Sequence, residues 1–169
     1  MTTCVVVADW IKRLADEERR RDAVRDREEE IAAKKADFVR VHGGRLIENL
    51  RAAVSRDVEA YRQEFPQDAV REIFFEDGQP DGGFVVRKPG FPAASLHVSP
   101  RLGTAAVGCH YRFTPNNGLP PREDRLELVF AGEAETTLQM KHLGTGHIFD
   151  TADALSEYLL MPVFTGRPR

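Results

Sequence analysis

The segment Leu102–Thr114, LGTAAVGCHYRFT, is the longest run in the chain that reads as one β-strand, and it limits what the rest can become. From Ala105 the odd positions are Ala105, Val107, Cys109, Tyr111 and Phe113, while the even positions Thr104, Ala106, Gly108, His110, Arg112 and Thr114 are small or polar. Side chains alternate across a strand, so a period of two buries one face and leaves the other wet. A strand of this length would span roughly 40 Å, about twice the ordinary length, and in a small domain it has to bend. Gly103 and Gly108 are where the bend is expected. The segment therefore predicts the central strand of a curved antiparallel sheet.

Upstream the period is helical. Residues Thr3 to His42 contain neither proline nor glycine, and Asp16–Arg20, Glu17–Arg21 and Glu30–Lys34 are acid-first pairs four apart, the order that supports a helix. Ten basic and nine acidic residues between Lys12 and Arg40 make this segment a near-neutral polyampholyte, not a basic arm. Trp10, Val24, Ile31 and Phe38 share one heptad position, interrupted by Glu17. The companion position reads Val7, Leu14, Arg21, Glu28, Lys35, His42, which is too charged for a regular two-stranded coiled coil. The expectation is a solvated helix over residues 1–42 with a narrow apolar edge. Trp10, Leu14, Val24, Ile31 and Phe38 are its candidate partner contacts, used for a homodimer or for another protein.

A second helix is expected from Arg45 to Phe65. Leu46, Ile47, Leu50, Ala53, Val54, Val58, Tyr61 and Phe65 recur at three- and four-residue steps and form a broad apolar stripe. Gly43-Gly44 reads as the joint between the helices, with a continuous helix bent there as the alternative, and Pro66 as the stop. After Pro66 six strands follow: Val70–Glu76, Gly83–Lys88, Ala93–Ser99, Leu102–Thr114, Asp124–Ala131 and Ala134–His142. They are joined by turns at DGQPDGG, PGFP, Pro100, PNNG and Gly132. Asp150 or Thr151 caps a last helix that Pro162 ends, and the tail GRPR is expected to be loose. The fold class is α+β: a charged helix, an amphipathic helix, a six-stranded meander and a short C-terminal helix, with residues 43–169 as a single two-layer domain. In element order alone this resembles a helix-grip ligand-binding fold lacking its first strand.

Composition excludes several functions. A net charge of −3 and a pI near 6.0 leave no electrostatic signature for nucleic acid. The run Val5–Ala8 is too short for a signal sequence, and no segment reaches the ~20 apolar residues of a membrane span. Cys4 and Cys109 form no disulfide framework, so a reducing, cytoplasmic setting is expected. Asp77-Gly78-Gln79-Pro80-Asp81-Gly82 resembles the start of a calcium loop, but its twelfth position is Lys88, and a hairpin loop is the better reading. His42, His97, His110, His142 and His147 have no zinc spacing, although His142 and His147 flank one tight turn. Cys109 and His110 are adjacent on a strand and so point to opposite faces unless Gly108 makes a bulge. No metal or other cofactor is expected.

Arg71, Arg87, His97, His110 and Arg112, with Glu127, Gln139 and Lys141, are placed on the less apolar sheet face. They are the candidate ligand-binding or surface site. The leading expectation for function is a non-enzymatic interaction protein that uses its charged helix. The alternative is a small-ligand binder or enzyme using a cup between curved sheet and helices. The second helix decides between them, because a stripe that fills the concave face leaves no cup.

Overall fold

The computed structural model of the protein describes residues 8–131 and 138–169. Cys4, most of the Val5–Ala8 run, the Gly132 turn and the first residues of the sixth expected strand lie outside the described residues. The chain divides into two compact units, the first ending at Asp37 and the second spanning Phe38–Arg169. Helix α1 is Asp9–Glu64. Its residues up to Asp37 are exposed except for the half-buried Ala15, and they carry the ion pairs Glu17–Arg21 at 2.7 Å and Glu30–Lys34 at 3.4 Å. Asp16 pairs with Arg19 at 2.9 Å, while Arg20 meets only its carbonyl oxygen.

In the second unit the sheet has seven strands, not six, all antiparallel and in sequence order. They are β1 Phe74–Glu76, β2 Phe84–Lys88, β3 Ala93–Arg101, β4 Ala106–Thr114, β5 Arg122–Ala131, β6 Gln139–His142 and β7 Ile148–Phe149. Helix α2, Ala152–Thr165, packs over β2, β3 and β7. The first expected strand shrinks to three residues because the Asp68 carboxylate accepts the Val70 and Arg71 N–H groups and holds that stretch in a turn.

The run from Leu102 to Thr114 is not one strand. Leu102–Thr104 forms a 3₁₀ turn, and Ala105 takes a left-handed conformation at φ 53° with its N–H on the Leu102 carbonyl. This turn joins β3 to β4, so the expected 40 Å strand is instead a hairpin. Pro100 is not the corner; it lies inside β3 opposite Val107. Proline is tolerated there because β2 reaches only Phe84 opposite Val98, so nothing on that side requires a donor from residue 100. Pairing through Gly108 is continuous on both sides, with no bulge. The Arg101 guanidinium passes over Gly108 to reach Glu127 at 2.7 Å, and a Cβ on residue 108 would lie 3.5 Å from it.

The alternation from Val107 onward holds: Val107, Cys109, Tyr111 and Phe113 are buried. Cross-strand rows such as Phe84–Val98–Cys109–Leu126 continue that face over four strands. The stripe of α1 closes on it, with Ile47, Leu50, Val54 and Val58 in one core cluster with Leu126, Leu128 and Phe130. Phe65, the last expected member of the stripe, is exposed. Lys88 follows Phe84 and Val86 on the inner face and is also buried. Its ammonium donates to the Gly90 and Pro92 carbonyls at 3.1 and 2.9 Å, and burial lowers its pKa.

Gly43-Gly44 is not a joint, since both residues are inside α1. Gly43 is buried against the β3–β4 turn and β5. A Cβ there would sit 3.1 Å from Leu102 and 3.5 Å from Phe130, whereas one on Gly44 would meet nothing. At the other end, Thr151 rather than Asp150 caps α2, accepting from the Ala154 N–H at 3.1 Å. Pro162 does not end α2, which continues to Thr165 and stops at Gly166 in the left-handed region. The tail is held: the Arg167 N–H reaches the Pro162 carbonyl, and the Arg169 guanidinium lies 3.4 Å over the Tyr158 ring.

These contacts set opposite expectations for neighbouring glycines. Gly44→Ala is expected to raise stability by about 0.5 to 1 kcal/mol, the usual gain from removing a helical glycine. Gly43→Leu is expected to lower it by about 1 to 3 kcal/mol through overpacking. Urea unfolding of the two variants checks this, and equal shifts would contradict the close approach at Gly43.

Candidate functional site

Two surfaces carry the residues that sequence reasoning singled out. On the outer sheet face His97 and His110 are direct cross-strand partners, and Arg125 continues their row on β5. The next row is Arg87–Ser95–Arg112–Glu123. Four of the five candidates, Arg87, His97, His110 and Arg112, thus share one face. Arg71 is not among them: it precedes β1, pairs with Asp68 at 2.7 Å and lies over the Phe65 ring.

Beside the histidines an open depression of about 560 Å³ is lined by His97, Ser99, Arg101, His110, Arg125 and Glu127, with Gly108 as part of its floor. Carboxylates stand beside three of its basic groups. Asp81 comes within 3.2 Å of His97 Nε2, Glu123 within 3.7 Å of His110 Nε2, and Arg101 is bridged to Glu127. Asp81, His97 and Ser99 have the composition of a hydrolytic triad but not its geometry. The Ser99 hydroxyl, at 3.3 Å, and the Asp81 carboxylate address the same ring nitrogen, so the imidazole cannot take a proton at one nitrogen while being oriented through the other. Partial burial works against the Asp81 charge. Hydrogen bonds from Ser99 and the Gly83 N–H, together with the nearby His97, outweigh it and hold this carboxyl below its ordinary value of 3.8.

Asp77 and Asp81 do not assemble as calcium ligands. Asp77 pairs with Arg51 at 3.1 Å, Asp81 accepts from Gly83, and the loop closes through the Gly82 N–H on the Gln79 carbonyl. His142 and His147 are joined by a backbone hydrogen bond of 2.8 Å, while the His142 Nδ1 lies 3.0 Å from the Tyr158 and Thr145 hydroxyls. Burial first, and then the charge of Arg169, lowers the His142 pKa. Among the described residues no three His, Cys, Asp or Glu side chains converge as a metal-binding set. Cys109 lies on the inner face, and burial pushes its thiol up to about 12. It is therefore no nucleophile beside His110.

The second surface is the exposed part of α1. Trp10, Leu14, Val24 and Ile31 are all exposed, at 61%, 48%, 58% and 58%. Phe38 is not part of this edge: it belongs to the second unit, half-buried, with its ring 4.4 Å from that of His42. Sequence reading did not join Asp81, Ser99 and Arg101 to the histidines: Ser99 and Arg101 share β3 with His97, β3 pairing brings His110 beside them, and Asp81 comes from the loop before β2. It also missed a basic row on α1, Arg13, Arg20, Arg27 and Lys34, which the seven-residue spacing alone could have revealed.

The fold is α+β: a long helix, a curled antiparallel meander of seven strands and a short C-terminal helix. No protein-family model matches the chain, and no curated protein or solved structure does either. Among the described residues no helix is long and apolar enough to cross a membrane.

Two outcomes follow from this chemistry. In the native protein at pH 8, Cys109 is expected to stay unmodified by iodoacetamide and to react fully once urea unfolds the chain, as read by peptide mass spectrometry. Asp81 has a depressed folded pKa, so its contribution to stability is full above the unfolded value and is lost as pH falls through the folded one. Asp81→Asn is accordingly expected to lower the melting temperature at neutral pH and to flatten its fall below about pH 4. An unchanged acid limb would show that Asp81 is not held by its neighbours.

Proposed function

We propose that this is a non-enzymatic interaction protein that presents the exposed portion of α1 to another protein. One observation carries the reading. From Asp9 to Asp37 every residue but Ala15 is exposed, including Trp10 at 61% and both Val24 and Ile31 at 58%. Ion pairs within a helix contribute only about 0.2 to 0.5 kcal/mol each, so such a segment gains little from them alone. Covering its apolar edge would supply the missing stabilisation.

The alternative, a ligand cup, has less support. Ile47, Leu50, Val54 and Val58 fill the space beneath α1, and the depression left on the inner face, about 260 Å³ between Tyr111, Phe113 and Leu126 and the α2 residues Tyr158 and Pro162, is small and half open. In the outer depression His97, His110 and Arg101 each have a carboxylate beside them, which leaves fewer groups to receive a guest.

Site-specific photo-crosslinking in the source cell tests the reading. A photo-reactive side chain at Val24 is expected to give a discrete protein adduct, and the same group at Arg112 on the outer sheet face none. In the Ile31→Glu background the Val24 adduct should disappear while the melting temperature stays unchanged. Adducts from Arg112 alone would remove this role for the helix.

A further inference from the structure

The exposed helix also carries information about what it meets, given the reading that it is the docking element. Residues three positions after the apolar heptad row are all basic: Arg13 follows Trp10, Arg20 follows Glu17, Arg27 follows Val24 and Lys34 follows Ile31. At ~100° per residue this row lies about 60° to one side of the apolar line, directly beside it. The nearest acidic row, Asp9, Asp16, Glu30 and Asp37 with Ala23 between, lies about 100° away on the far side of the basic one. The shortest ion pairs between residues 9 and 37 involve other basic residues: Arg21 with Glu17 at 2.7 Å, Arg19 with Asp16 at 2.9 Å, and Arg25 with Asp22 at 3.1 Å. Lys34 has Glu30 at 3.4 Å, but Arg13, Arg20 and Arg27 have no carboxylate in ion-pair range among the described residues.

A second copy of the chain is a poor occupant for this edge. In an antiparallel helix pair with two-fold symmetry each flank meets its own equivalent, so the basic row would face itself. In a parallel pair it would face the opposite flank, Leu14, Arg21, Glu28 and Lys35, whose charged members are mostly basic. Like charges at such positions oppose pairing, whereas a complementary row selects a partner. We propose that the edge from Trp10 to Lys34 docks a protein helix whose own apolar row is flanked by aspartate or glutamate.

Trp10 is the sole tryptophan of the chain and lies on this edge, so its emission reports on docking in the full-length protein. The probes are two synthetic amphipathic peptides of equal length with the same leucine row, one flanked by glutamate and one by lysine. The glutamate peptide is expected to shift Trp10 emission to the blue and to bind at least about tenfold tighter than the lysine peptide, with affinity falling as salt rises. Arg13→Glu, Arg20→Glu and Arg27→Glu together should invert that preference without changing thermal unfolding of the rest of the chain. Equal binding of both peptides, or a full-length chain that sediments as a dimer with blue-shifted Trp10, would overturn the acidic partner and leave the interaction role standing. No Trp10 response to either peptide would overturn it as well. That result, together with no crosslink from position 24, would remove both.

Discussion

The second unit depends on one fit, the apolar stripe of α1 closing on the inner face of the curled sheet. Ile47, Leu50, Val54 and Val58 recur at helical spacing, while Phe84, Val98, Cys109 and Leu126 line up across strands, and the two periods meet in a single core. Each such side chain, fully buried, contributes about 1.5 to 3 kcal/mol, far more than any surface ion pair on this chain. The closeness of the fit explains the smallest residue at the contact. At Gly43 the helix backbone comes so near Leu102 that even a methyl group would press on it, while just touching Phe130.

Ties at the edges hold the same fit. Arg51 reaches Asp77 and the Gly82 carbonyl in the β1–β2 loop, and Asp57 accepts from Ser156 on α2 at 2.7 Å. Tyr111, on the inner face of β4, donates to the Leu159 carbonyl at 2.6 Å, so α2 is secured to the sheet by a buried hydrogen bond as well as by packing. Lys88 is accommodated on the inner face because two loop carbonyls solvate its ammonium in place of water.

Filling the concave face has a functional consequence. A curled sheet with a helix across it is an architecture in which a small molecule can be held, but here the side chains of α1 take the volume beneath it and leave a small depression beside α2. The outer face keeps its histidines, yet Asp81, Glu123 and the Arg101–Glu127 bridge balance their surroundings. On the exposed part of α1, apolar and basic rows run side by side.

Much of this was legible in the residues. The helical period before Pro66, the alternation along β4 and the stripe of α1 each follow from local geometry repeated along the chain, because a face must be buried wherever apolar residues recur on it. Contacts between distant segments were not legible. Nothing local distinguishes Gly43 as a close approach from Gly43 as a joint; the difference lies in Leu102 and Phe130, which the fold brings to it. Nor could alternation alone break the run at Ala105, where a left-handed residue turns one long strand into a hairpin, or keep Pro162 inside α2. The sequence by itself determined the class of the fold and the charged, exposed character of the first helix, since both are set by side-chain chemistry at fixed spacing. Only the tertiary structure decided that His97 shares one ring nitrogen between Asp81 and Ser99, and that the stripe of α1 fills the space beneath it. Both depend on which residues meet across the sheet, and a linear pattern does not encode that.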